Sequence, residues 1–359
     1  MDPVTHLLTG ACLARSGLNR KTAYATLAMT LAAEAPDLDI LWDLRGPVAG
    51  FQHHRGITHT FLGAPFVALA ATGFVWLFDR WRRKRPPIPV RWLLVWLFSL
   101  VAALSHIFLD WTNNYGVRPF FPFNPRWYSL DIIFIFEPVI FAGLLLALVI
   151  PAIFGLADRE MGVRPTMFRG RGWAIGAICI AAIVSGVRWG EHHRALQLIA
   201  NTRFGNEPIV RSSAEPYPIN PFHWFAIVET ADYFQTGSVD THADEVRTSE
   251  RDDIVFKPPV TPAVMAAKRS WLGQVYLDWA KYPVVTDCGK ANLMASDDLA
   301  PDPSATAVQF RDLRFAHPAL TRSPSGGERS DPPLGAWVYV MPDNQVAAMV
   351  MSGRVQKER

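Results

Sequence analysis

Cysteine is scarce in this sequence: Cys12, Cys179 and Cys288 are the three among 359 residues. They lie far apart, two of them inside apolar runs, so they form neither a disulfide framework nor a CxxC metal motif. Charge imbalance is also small, at +3, and no nucleic-acid partner is expected from it. Internal repeats are lacking. The opening MDPVTHLLTG begins with an acid and has no basic stretch or small-residue cleavage site around an apolar core, so it reads as retained sequence rather than a signal peptide. What the chain has is apolar surface: half of its residues are hydrophobic and 13 are Trp, with a mean hydropathy of +0.11. That composition predicts a protein whose main partner is the lipid bilayer.

Four runs, 57–78, 92–109, 132–156 and 172–189, reach or approach the roughly 20 residues that cross a bilayer. Trp92, Trp111, Trp173 and Trp189 flank two of them, as interfacial anchors do. Between the runs, 79–91 carries six basic residues and 157–171 carries Arg159, Arg164, Arg169 and Arg171. Lys and Arg are retained on the cytoplasmic side, so both loops are expected there and everything after Trp189 is expected outside. Segments 7–18 and 22–33 are apolar but too short to span, and they predict a re-entrant helical hairpin turning at Asn19. The expected fold class is therefore a membrane all-α domain over 1–190, with four transmembrane helices and that hairpin, followed by a soluble α/β or mainly β domain over 191–359.

The polar residues that are costly near lipid gather at one predicted face. In SHIFLD, His106 and Asp110 stand four apart, on one side of a helix, where imidazole and carboxylate can grip one ion or each other. HHRGITHT places His53, His54 and His59 at the start of the first span, and EAPDLDI places Asp37 and Asp39 beyond a helix-ending proline. His6 would join them at the outer end of the hairpin. Each motif alone has a plain structural reading, as a helix cap or a polar interfacial turn. Their convergence on one face, reached from loop charge alone, predicts a site for two or more divalent metal ions, with imidazole favouring zinc and the carboxylates accepting manganese or magnesium. Arg118 is a candidate clamp for an anionic oxygen. Asp131 and Glu137 are expected to open the third span, Glu137 about 9 Å along the helix, as candidate catalytic groups.

The motifs DPVTHLLTG, PDLD, HHRGITHT, HIFLDWTNNYGVRPF and IFEP, with the later NPFHWFAIVET, resemble the YdjM-like family of inner-membrane metal-dependent hydrolases. The early Thr-His, the PDxD and the HxxxD are also distantly similar to zinc-dependent phospholipase C and the single-strand nucleases, although here the motifs lie between spanning helices. The resemblance implies a multi-pass protein of the bacterial inner membrane whose extracytoplasmic metal site hydrolyses a phosphate ester of a lipid or lipid-linked substrate. The alternative is a non-enzymatic membrane protein, either a proton- or metal-linked transporter or an envelope-stress component, using the same residues.

Overall fold

The structure, a computed structural model, describes residues 1–82, 85–162, 169–205, 207–249, 253–291, 302–316 and 333–356. Arg83, Lys84 and Arg164 of the two basic loops lie outside the described residues.

The chain begins with two short helices, α1 (Pro3–Arg15) and α2 (Ala25–Glu34). Asp2 caps α1 by accepting from the Thr5 amide at 3.0 Å, and Pro3 sits at the first turn, where a missing N–H costs nothing. The two helices cross closely at Gly10, where a Cβ would lie 2.4 Å from the Met29 carbonyl oxygen. Neither approaches spanning length. The turn joining them touches both basic loops: the Ala23 amide donates to Pro89, the Arg91 amide to Thr22, and Arg171 to the Ser16 carbonyl. The three segments thus share one end of the bundle.

Among the described residues, three helices are long and apolar enough to cross a membrane: α5 (Trp92–Thr112), α6 (Pro138–Glu160) and α7 (Arg171–Asn201). A fourth crossing exists if α3 (Pro47–His53) with the turn to His59 and α4 (Ala64–Trp81) count together, but that pair is bent by 87°. The expected continuous helix from residue 57 is therefore corrected. Residues 57–59 form a 3₁₀ turn, the Thr60 hydroxyl accepts from the Gly63 amide, and a proline in the first turn of α4 restarts the helix. The third span is corrected in the same way. It begins at Pro138 with Glu137 as its N-cap, so Glu137 lies before the helix and not inside it. Residues 132–133 are not helical, and Ile133 instead forms an isolated parallel bridge to Asn113.

After α2 the chain winds through a 3₁₀ segment, Ala35–Arg45, before α3. Helix α7 continues through the expected domain boundary at 190 and packs Ala195 and Ile199 against Trp224, Ala226 and Val228 of the first sheet. That sheet is antiparallel in the order β1 (Arg211–Pro216), β2 (His223–Glu229), β3 (Tyr233–Asp240) and β4 (Glu245–Arg247), with β5 (Ile254–Phe256) also on β3. Helices α8 (Pro262–Arg269) and α9 (Trp271–Trp279) lead to a second antiparallel sheet. Its strands are β6 (Pro283–Lys290), β7 (Thr306–Asp312), β8 (Ala336–Val340), β9 (Val346–Met351) and β10 (Arg354–Gln356), hydrogen-bonded in sequence order. Its core includes Val48 and Tyr115 from the helical half beside Tyr276, Trp279 and Phe310. Trp279 donates to the Tyr115 carbonyl at 3.1 Å, and Gln356 accepts from the Val48 amide at 3.0 Å. The sheet-rich half is thus bonded to the end of the bundle that carries α3 and the close of α5.

Candidate metal centre

Three stretches of chain bring four ligand atoms together: Asp37 from the 3₁₀ segment after α2, His59 from the turn before α4, and His106 with Asp110 from the last turns of α5. These atoms all lie within 4.8 Å of one another. His106 Nε2 is 3.0 Å from His59 Nε2 and 3.5 Å from Asp110 Oδ2 and Asp37 Oδ1, while His59 Nε2 is 3.2 Å from Asp37 and 3.6 Å from Asp110 Oδ2. Tetrahedral zinc with bonds of about 2.0–2.1 Å spaces its ligand atoms about 3.3 Å apart. Five of the six pairs, at 3.0–3.6 Å, match that spacing.

The outer nitrogens decide what the inner ones offer. His106 Nδ1 lies 2.6 Å from the Ala33 carbonyl, which can only accept, so Nδ1 carries the proton. His59 Nδ1 lies 3.3 Å from the Asp39 carboxylate and 3.2 Å from the Thr58 hydroxyl, and a proton on it would face the carboxylate. With both rings neutral and protonated at Nδ1, two bare Nε2 lone pairs would face each other, and Asp110 Oδ2 is buried with no hydrogen-bond donor. Such a concentration of acceptors is unfavourable unless a cation sits among them, and imidazoles held by a carbonyl or carboxylate at the far nitrogen are the usual outer shell of metal ligands. The four residues can therefore hold a metal ion.

The other predicted residues surround this set. Asp39 accepts from the Arg55 amide at 2.7 Å and faces His54 Nδ1 at 3.1 Å, so it positions rings instead of facing the centre. His6 stacks on His106 with ring centroids 3.7 Å apart and reaches Asp110 Oδ1 at 3.2 Å, the oxygen turned away from the cluster. His53 stacks on Trp42, directed elsewhere. Arg118 lies beyond Gln52, whose carbonyl it bonds at 3.2 Å. Asp131 and Glu137 are not brought to the centre: Asp131 pairs with Lys281 at 2.7 Å and Glu137 with Arg188 at 2.6 Å.

Two residues outside the predicted ligand set stand close by. Arg55, buried inside HHRGITHT, donates to Asp110 Oδ1 at 2.9 Å, to Asn113 Oδ1 at 3.1 Å and to the Gly116 carbonyl at 2.9 Å. Its φ of 53° is left-handed, an uncommon state for a side chain of this kind. The signal available was an arginine among histidines at a lipid boundary, which needs a carboxylate partner. Glu34, three residues before Asp37, has a buried oxygen without a donor, and burial with the nearby Asp37 charge pushes its carboxyl up to about 7. The Met1 amino group also contacts Asp110 and lies 3.0 Å from His6 Nε2.

Apolar helices of spanning length with a His and Asp cluster at one end define a multi-helix membrane protein with a candidate metal centre. Residues 1–193 match the family described as YdjM inner membrane protein, and the chain belongs to that family. It is also 30% identical over 158 residues to the Bacillus subtilis (strain 168) protein described as uncharacterized protein YfhP. That alignment covers 42% of this chain and 46% of the relative, so the chain spans just under half the length of that protein. No solved structure matches it.

Proposed function

We propose that the protein is a metal-dependent hydrolase of the extracytoplasmic membrane face, acting on a phosphate ester of a lipid or lipid-linked substrate. The observation that carries this reading is the pair of facing Nε2 atoms beside the donor-less Asp110 Oδ2. Two imidazoles and two carboxylates suit zinc, with manganese or magnesium as weaker fits. Zinc held by all four side chains would need a fifth position to supply a water acidified toward neutrality or a Lewis acid for the ester oxygen. Asp37, His59, His106 and Asp110 would hold it. Asp39 and the Ala33 carbonyl would fix the two rings, and Arg55 would fix Asp110. The extracytoplasmic placement is supported by the basic loops, which meet the α1–α2 turn at the other end of the bundle. The transporter reading needs an intramembrane carboxylate free to carry protons, and Glu137, its candidate, is engaged by Arg188.

Elemental analysis of the purified full-length protein tests the centre without a substrate. Wild type should carry about one zinc per chain and the His106→Ala/Asp110→Ala double variant almost none. A metal-free wild type refutes the centre. With metal established, release of phosphate or headgroup from a panel of phospholipids by wild type but not by the double variant tests the hydrolase. A metal-loaded protein inactive across the panel counts against it.

A further inference from the structure

Beside the centre, a groove of about 710 Å³ opens between the 3₁₀ segment Ala35–Arg45 and the loop after α5. Asp39, whose carboxylate is engaged by Arg55, His54 and His59, forms part of its wall and separates it from the four ligands. Leu38, Leu41, Trp42 and Ile57 give it apolar walls, and Arg45 and Arg118 give it two positive charges. Arg45 lies over the Trp42 ring at 4.6 Å. Arg118 is partly committed, 3.6 Å from the exposed Asp278 carboxylate, and its buried Nε has no acceptor.

The surroundings say what fills such a groove. Leu38, Ile40, Leu41 and Leu44 project from the 3₁₀ segment, and Leu44 is 86% exposed. In water so continuous an apolar ridge would be unfavourable. Here it lies near the end of spanning helix α5, where Trp111 packs with Phe61, Phe120 and Tyr128 in an aromatic cluster of the kind found at headgroup level. The ridge therefore meets lipid, and the groove behind it combines a path for acyl chains with cations suited to an anion.

We propose that this groove binds an anionic phospholipid from the surrounding leaflet, its phosphate on Arg45 and Arg118 and its acyl chains passing over Leu38 and Leu41 into the bilayer. Arginine is well suited to a phosphodiester, since its fork donates two parallel hydrogen bonds. The binding stands by itself. Only the further step, that the bound lipid is what the metal centre cleaves, rests on the hydrolase reading above.

Native mass spectrometry of the full-length chain in neutral detergent tests the groove, with phosphatidylglycerol titrated against phosphatidylcholine and against glycerol phosphate. Wild type should retain one phosphatidylglycerol at least about tenfold more tightly than phosphatidylcholine, and glycerol phosphate not at all. Arg45→Ala, at an exposed position where folding is not at risk, should weaken phosphatidylglycerol about tenfold. Leu38→Ser/Leu41→Ser should weaken both lipids. Equal retention of the two lipids by wild type overturns the proposal, as does an Arg45→Ala chain and an Arg118→Ala chain that both keep phosphatidylglycerol within about twofold of wild type. Glycerol phosphate held as tightly as the lipid overturns it too, since the acyl path would then contribute nothing. The His106→Ala/Asp110→Ala chain should lose its metal and keep its lipid, so the groove and the centre fail separately.

Discussion

Among the described residues, two places bury several charged groups together, and they are built on opposite rules. At the junction of the halves, acids meet cations: Asp131 with Lys281 at 2.7 Å, and Asp312 with Arg314 at 2.8 Å. Arg314 spends its remaining donors on the Asn114 and Trp279 carbonyls. Both of these acids are matched by a cation, although Asp131 Oδ1 has no donor of its own, and the cluster has the form of a structural joint. At the His and Asp centre, Asp110 Oδ1 is crowded with donors from Arg55 and Asn113 while Oδ2 has none. The Nε2 atoms of His59 and His106 face the same point. A surplus of acceptors directed at one spot, with their outer atoms fixed by hydrogen bonds, distinguishes a place prepared for a cation from one that merely neutralises charge.

The comparison breaks most visibly if Arg55 is removed. Arg55→Met takes away the guanidinium that holds Asp110 Oδ1 while leaving all four ligand side chains in the chain. Loss of an outer-shell partner of this kind lowers metal affinity about 10–100-fold, so zinc should pass to a competing chelator at a correspondingly lower chelator concentration. Unchanged competition would mean that Asp110 needs no outer support, and the distinction between the two clusters would lose its main argument.

Lys281→Met is the opposite intervention. It leaves the buried Asp131 carboxylate without its partner, and because the Lys281 side chain is about a third exposed the cost should be about 1–3 kcal/mol. The melting temperature of the full-length protein should fall by several degrees with zinc content unchanged. Zinc lost together with stability would show that the joint and the centre are one cooperative unit.

How much of this could be read in advance differs residue by residue. His106 and Asp110 were legible because four residues is one helical turn, and that relation is fixed once the segment is a helix. Asp37 and Asp39 were legible as a pair but not in their division of labour, since a 3₁₀ turn, and not sequence spacing, sends one inward to the ligands and the other to the rings behind them. His53 and His54 look alike in the sequence, and only Trp42 and Asp39, brought by a separate segment, tell them apart. Glu137 and the true starts of α4 and α6 did carry a local signal, since Pro138 and the early proline of α4 mark first turns. Hydropathy alone does not see where backbone donors run out. The docking of the second sheet on Val48 and Tyr115 had no local signature, because it depends on partners more than 100 residues away.

The smallest effect sharpens the comparison from the side of the joint, at Glu215, an acid buried there beyond the matched pairs. Ser213 donates to one of its oxygens at 2.9 Å, and the other has no donor. Burial and the Asp131 charge push its carboxyl up to about 8, against the pull of Lys281 and Arg314. The unfolded chain gives up this proton near pH 4.5 and the folded one near 8, so between those values the folded state holds more protons. Folding stability from this group is accordingly present at low pH, falls as pH rises through that window, and is level above it. Glu215→Gln, which keeps the shape and cannot ionise, should remove the decline: its melting temperature should match wild type near pH 5 and exceed it by a few degrees near pH 8.5. Parallel curves for the two proteins would mean that Glu215 is ionised in the folded state at neutral pH. The joint would then hold three ionised acids, Asp131, Asp312 and Glu215, on the two cations Lys281 and Arg314.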